Sequence, residues 1–190
     1  MRNILLKRIA PKICLAFICC FYVVFLQAQT WKIKQANVHF RIKNAGIYVE
    51  GSFAKYGVNS MKFDTLHLEQ SFIDIFVEVA SINTENKTRD KHLLAEDFFD
   101  AQQHPIIQIK SQRIAKKQNQ EYVGFFEVKI KGIVQTMEIP FTFQRTGNSA
   151  TWEAKWQLDR TKFNVGNQNM IAKITMSNIV EVHVKLIGES

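Results

Sequence analysis

The stretch Asn86-Lys-Thr-Arg-Asp-Lys-His-Leu-Leu-Ala-Glu-Asp-Phe-Phe-Asp100, with Pro105 shortly after it, is polar and helix-compatible in a chain whose other runs read as strands. Thr84 offers an N-cap ahead of it, and Leu93, Leu94 and Phe98 have the spacing of a buried helix edge. Pro105 then restarts extended chain. A plain β-protein has no need of such an insertion, so the stretch marks a β-fold that carries one helical element for a purpose.

Outward from this segment, period-2 alternation dominates. Val38, Phe40 and Ile42 share one strand face, and Ile47, Val49, Gly51 and Phe53 share the next, with Lys43-Asn-Ala-Gly46 as the turn between them. The pattern returns at Met61 and Phe63, at Ile73 to Val79, at Ile107 and Ile109, and at Tyr122 to Ile130. It continues at Met137 to Phe143, Trp152 to Leu158 and Ile174 to Leu186. Turn signals such as Gln118-Asn119-Gln120 and Gly147-Asn148-Ser149 separate the runs, and there is no βαβ rhythm. Antiparallel strands with one apolar face make a sandwich or a closed barrel. A second irregular segment, Asp159-Arg-Thr-Lys-Phe-Asn-Val-Gly166 through Met170, precedes the last strand.

Arg2, Lys7 and Arg8 stand before an unbroken apolar run from Ile13 to Leu26, followed by Gln27-Ala28-Gln29-Thr30. This is the layout of a secretory signal peptide with cleavage after Ala28, so residues 1–28 are read as the leader and 29–190 as one domain. As a helix the run would span roughly 21 Å, short of the ~30 Å hydrocarbon core. A periplasmic or secreted location is therefore expected. All three cysteines, Cys14, Cys19 and Cys20, fall inside the run, so the mature chain has no thiol for a disulfide, a nucleophile or a metal. Lipid attachment at Cys19 or Cys20 would follow Ile18 or Cys19, where such signals carry a small residue. Loss of Arg2, Lys7, Arg8 and Lys12 takes the formal charge from +8 to +4, and the remaining basic residues are dispersed, which argues against nucleic acid.

No nucleophile–base spacing, glycine-rich phosphate loop or His-Glu-x-x-His is present, so no catalytic residue is assigned. His39, His67, His92, His104 and His183 are scattered, and no metal site is assigned either. Arg89, Asp90 and His92 could line the rim of a pocket and bond a ligand's oxygens, or could pin the insertion to the barrel through charge-assisted hydrogen bonds. Asp97 and Asp100 read as turn caps that leave Phe98 and Phe99 to plug one end of the barrel. Phe40, Phe53, Phe63, Phe126, Phe141, Phe143, Trp152 and Trp156 all fall on inward-reading faces. Such rings are explained by a filled core alone, and an interior with room for one slender ligand is the other outcome an eight-stranded barrel permits.

Several of these pieces, in this order, resemble the YceI-like family of bacterial lipid-binding proteins. The insertion carries Asn-x-x-Arg-Asp-x-His-Leu, then Asp-Phe-Phe-Asp and Pro105. Asn37-Val-His-Phe40, Gly46 and Gly51-Ser-Phe53 resemble its first hairpin, although the family commonly has Ser in place of Asn37. Val128-Lys-Ile-Lys-Gly132-Ile-Val-Gln-Thr-Met137 and Asp159-Arg160-Thr-Lys-Phe163-Asn-Val-Gly166 match two further segments. The resemblance implies an antiparallel, eight-stranded, lipocalin-like β-barrel with a short helical insertion, enclosing an apolar cavity for a polyisoprenoid or similar amphiphile. It implies no cofactor. The inward positions carried over as lipid-binding are Phe40, Phe53, Val77, Phe98, Ile109, Phe126, Val128, Phe141, Trp156 and Phe163, with Arg89, Asp90 and His92 as the polar rim. Asn167 to Ala172 departs from the acidic loop expected there, which leaves the entrance undefined.

The reading is a non-enzymatic carrier of an isoprenoid or other long-chain lipid, with transient membrane contact and pairing of two copies both left open. One rival is a filled barrel whose insertion docks an envelope partner. A second is an enzyme on a lipid-like substrate centred on Arg89, Asp90 and His92.

Overall fold

A computed structural model describes residues 29–190, so the leader assigned to residues 1–28 lies outside the described residues. The strands are β1 (Lys32–Asn44), β2 (Ile47–Phe53), β3 (Tyr56–Lys62), β4 (Phe72–Glu78), β5 (Ile82–Asn83), β6 (Ile106–Gln118), β7 (Glu121–Ile130), β8 (Ile133–Thr146), β9 (Ser149–Asp159) and β10 (Met176–Glu189). Two short helices, α1 (Lys87–Leu93) and α2 (Met170–Thr175), are added to them. Among the described residues no helix is long and apolar enough to cross a membrane.

The strands form one antiparallel sheet in the order β3-β4-β6-β7-β8-β9-β10-β1-β2-β5. The sheet curls until its ends meet. Trp31 N–H donates to Met61 O at 2.7 Å and Phe63 N–H to Gln29 O at 3.0 Å, so the segment leading into β1 pairs with the end of β3. Farther along, Ala54 N–H donates to Ser81 O and Glu78 N–H to Lys55 O, tying the β2–β3 link to the β4–β5 link. The fold is thus the expected all-β barrel type, with ten strands rather than eight. The shortest of them, β5, has no periodic signal of its own and exists through its pairing with β2 at Ser52↔Asn83 and Phe53↔Ile82.

Tight hairpins follow local chemistry. Ala45 and Gly46 both take positive φ (47° and 88°), the requirement of a two-residue turn that matches strand twist, and Lys131-Gly132 repeats it. The insertion does form α1, but its N-cap is Asn86, whose side chain accepts from Arg89 N–H at 3.0 Å. Thr84, the residue expected to cap, is buried instead: its hydroxyl donates to Asp90 Oδ1 at 2.5 Å and accepts from Arg89 Nε at 2.8 Å. A side chain already committed to two partners is not free to cap.

The interior is divided along its length. At the end bearing the β6–β7 and β8–β9 turns, aromatic rings fill the barrel: Phe63, only 1% exposed, lies 5.2 Å from Tyr122, 5.8 Å from Phe141 and 4.7 Å from Phe143 between ring centroids. Trp31 meets Trp152 edge-on at 5.0 Å and donates its indole N–H to Phe63 O. At the opposite end the β1–β2 hairpin, the insertion, the β7–β8 hairpin and the 160–176 segment converge. Lys131 Nζ bridges Glu96 O and Asn164 O, and Asn169 Nδ2 donates to Asp97 Oδ2 at 2.8 Å. Burial opposes ionisation of Asp97, but the bonds from Asn169 and His92 outweigh it and hold its pKa below the ordinary carboxyl value.

Two outcomes follow. Phe63→Ala removes the ring at the centre of the aromatic end and should destabilise the protein by about 3–5 kcal/mol, read as a shift in the denaturant midpoint. Because the folded pKa of Asp97 is depressed, its stabilising contribution is present above the unfolded carboxyl pKa of about 3.9 and disappears as pH falls through that value to the lower folded one. The stability difference between the parent chain and Asp97→Asn should therefore shrink below about pH 4 in unfolding curves taken across pH.

Candidate functional site

Between the aromatic end and the converging loops lies a cavity of about 420 Å³, within the ~300–1,000 Å³ usual for small-molecule sites. It exists because the large inward side chains are unevenly distributed. Toward the loops the inward positions become mostly aliphatic, with Val180, Val182, Val184 and Leu186 from β10, Ile75 and Val77 from β4, and Ile107 and Ile109 from β6 all on its wall. Their short branched side chains do not reach across the axis as the rings of Phe63 and Phe143 do. Gly51 contributes too: a Cβ there would lie 2.3 Å from the tip of the Phe40 ring, so glycine lets that ring lie across β2.

Of the ten inward residues expected at a ligand, Phe40, Phe53, Val77, Phe98, Ile109, Val128, Trp156 and Phe163 line the cavity. Phe126 and Phe141 do not. They belong to the filled interior, with Phe141 stacked on Tyr122 at 5.5 Å and the Phe126 ring folded over Gly124. Alternation reports which face a residue is on but not its height along the barrel axis, and height decides between wall and plug. Phe98 and Phe99, expected to plug an end, form part of the cavity wall.

At the rim, Arg89 and His92 line the cavity whereas Asp90 does not. Arg89 donates from its guanidinium to Thr84 O at 2.6 Å, and Asp90 accepts from Thr84 N–H at 2.9 Å, so both clamp the residue that joins β5 to α1. His92 Nε2 sits 3.2 Å from Asp97 Oδ2, and its ring meets Phe98 edge-on at 4.9 Å. Among the described residues no hydroxyl or thiol bonds to the His92 ring, and no group of three or more His, Cys, Asp or Glu side chains could hold a metal ion.

One lining residue that carried no role in the sequence is Arg160, 3% exposed. Its guanidinium donates to Ser177 O at 2.9 Å, Val165 O at 2.7 Å and Ala172 O at 3.3 Å. Burial lowers its pKa, an effect that the charge of Asp159 partly offsets; an arginine in this setting stays a cation. Gly166, at φ +73°, is packed so closely against it that a Cβ would lie 2.9 Å from the guanidinium. The Asp159-Arg160 pair was visible as a motif, but that the arginine turns inward depends on carbonyls of α2 and β10. Two further polar atoms on lining residues, Trp156 Nε1 and Asn44 Oδ1, are buried without a partner. The cavity is thus an apolar tube with two guanidinium groups, an unmatched donor and an unmatched acceptor, and no carboxylate on its wall.

A sequence profile of the YceI-like domain matches residues 30–187. A UPF0312 protein of Photorhabdus laumondii is 23% identical over 155 residues, covering 76% of this chain and 80% of that protein, while matched spans in Vibrio relatives cover 60% of their length or less. The crystal structure of Burkholderia cenocepacia BcnA superposes with a TM-score of 0.76 at 25% identity, covering 80% of this chain and 95% of that one. A polyisoprenoid binding domain from Saccharophagus degradans, implicated in plant cell wall breakdown, superposes with a TM-score of 0.68, covering 85% of this chain and 97% of its own. At 10% identity that last likeness is one of fold. With the profile running over nearly the whole described barrel, the chain belongs to the YceI-like domain family.

Proposed function

We propose that this protein binds and carries a polyisoprenoid or similar amphiphilic lipid in the barrel cavity, in the periplasm or outside the cell, without catalysing a reaction on it. The observation that carries this reading is the apolar cavity, held open where an unbroken aromatic core would have closed it. The name of the Saccharophagus degradans domain, which shares the fold, supports the same ligand class. Each methylene moved from water to such a wall contributes roughly 0.8 kcal/mol. A tail burying about ten of them gains about 8 kcal/mol, the scale of a micromolar dissociation constant before ordering costs.

The polar groups on the wall support an amphiphile over a plain hydrocarbon. The Trp156 N–H is a buried donor without a partner that an oxygen-bearing head group would satisfy, and Arg89 and Arg160 add positive charge to a wall without a carboxylate. Export is supported by the layout of residues 1–28, and carriage of a water-insoluble chain calls for contact with a membrane at loading and release. The filled-barrel alternative describes one end of the molecule only.

Mass spectrometry of an organic extract of the exported protein should show a bound isoprenoid or comparable long-chain lipid. An empty extract, together with no uptake of added isoprenoids, would remove this reading. Ile109→Trp places an indole in the tube and should lower isoprenoid uptake by tenfold or more, about 1.4 kcal/mol, while circular dichroism shows the β-fold intact.

A further inference from the structure

The 160–176 segment that closes the cavity also presents an apolar surface outward. In α2, Met170, Ile171 and Ile174 are 75%, 73% and 83% exposed, whereas Ala172 is 3% exposed. At about 100° per residue the three exposed side chains fall on one face of the helix and Ala172 on the other. The β1–β2 hairpin lies against the end of this helix, with Ala45 N–H donating to Thr175 O at 2.8 Å. That hairpin exposes Ile47 (69%) and Tyr48 (55%) on alternate faces of β2, with the Arg41 guanidinium 4.7 Å over the Tyr48 ring. Single exposed apolar residues are ordinary on a protein surface, but three on one face of a short helix, beside a hairpin that exposes two more, mark an interaction surface.

We propose that this surface is the site at which the protein docks on an anionic lipid bilayer. This rests on the carrier reading for its purpose, though not for its geometry. Charge favours such a partner over a second protein chain. Residues 41–49 and 160–180 carry Arg41, Lys43, Arg160, Lys162 and Lys173, and of the carboxylates that adjoin them, Glu50, Asp159 and Glu181, Asp159 is held by Thr161 and Glu181 by Arg41. Arg41 is paired with Glu181 at 2.8 Å and Arg160 is buried, while Lys43 and Lys173 have no salt-bridge partner among the described residues and flank the apolar face. The nearby Asp97 is held by Asn169 and His92. Continuity with the cavity points the same way: Ile171 and Thr175 are on the cavity wall, so α2 is at once outer surface and inner lining. A short amphipathic helix with lysines at its flank is suited to lie in the headgroup region, and there α2 would set the tube against the acyl chains.

The test is sedimentation of the exported protein, its amino terminus established by intact mass, with phosphatidylcholine vesicles made with and without phosphatidylglycerol. Isoprenoid uptake from a vesicle-free detergent solution is measured in parallel. The expected result is binding that rises with phosphatidylglycerol, falls about fivefold for each of Lys43→Gln and Lys173→Gln, and falls tenfold or more for Met170→Ser/Ile174→Ser. None of these four residues lines the cavity, so uptake from detergent should be unchanged. Failure of the parent protein to sediment with anionic vesicles, or equal sedimentation of the variants, would overturn the docking surface. So would a dimer that these substitutions convert to a monomer, which would assign the face to a second copy. Loss of uptake from detergent in the parent protein would instead strike at the carrier reading.

Discussion

A curled sheet must either pair its edges or leave them exposed, and this protein pairs them through a short stretch of backbone. The bonds between Gln29–Trp31 and Met61–Phe63 bring the start of β1 against the end of β3. Closure there sets Trp31 and Phe63 side by side, with the Trp31 indole bonded to the Phe63 carbonyl. The aromatic cluster then grows from that contact to Phe143 and Trp152. Everything above the cluster is wall without filling, because the strands continue past the level at which the rings meet.

The two irregular segments make the open end usable. Neither could stand alone: α1 and α2 are too short to be stable as isolated helices. They are held by buried polar contacts, the Thr84–Arg89–Asp90 clamp on one side and Arg160 with its carbonyl acceptors on the other. Asp97 joins them through Asn169 and His92. A buried guanidinium satisfied by carbonyls, as in Arg160, fixes loop geometry firmly, since breaking such a contact leaves an uncompensated charge in an apolar surround. The same groups furnish the polar pole of a cavity that is otherwise hydrocarbon in character, so loop anchoring and ligand orientation draw on one set of residues.

Much of this was legible in the order of the amino acids. A side-chain period of two names the face of a strand, so the inward sets of β1, β7, β9 and β10 could be read directly, and Ala45-Gly46 announced its hairpin. Phe126 and Phe141 show where that reading stops. Their face was right, but their level along the axis depends on register and strand tilt, which no single strand encodes. Arg160 shows a second limit: a basic residue beside an aspartate looks like surface chemistry until partners from α2 and β10 are brought to it.

By itself, then, the sequence determined the β-architecture, the helical insertion and the apolar inward faces, because each depends on residues a few positions apart. Only the tertiary structure decided that the interior is filled at one end and open at the other, that Asn86 rather than Thr84 caps α1, and that Arg160 faces inward. Those outcomes turn on contacts between distant segments, where space already occupied by one side chain settles what the next can do.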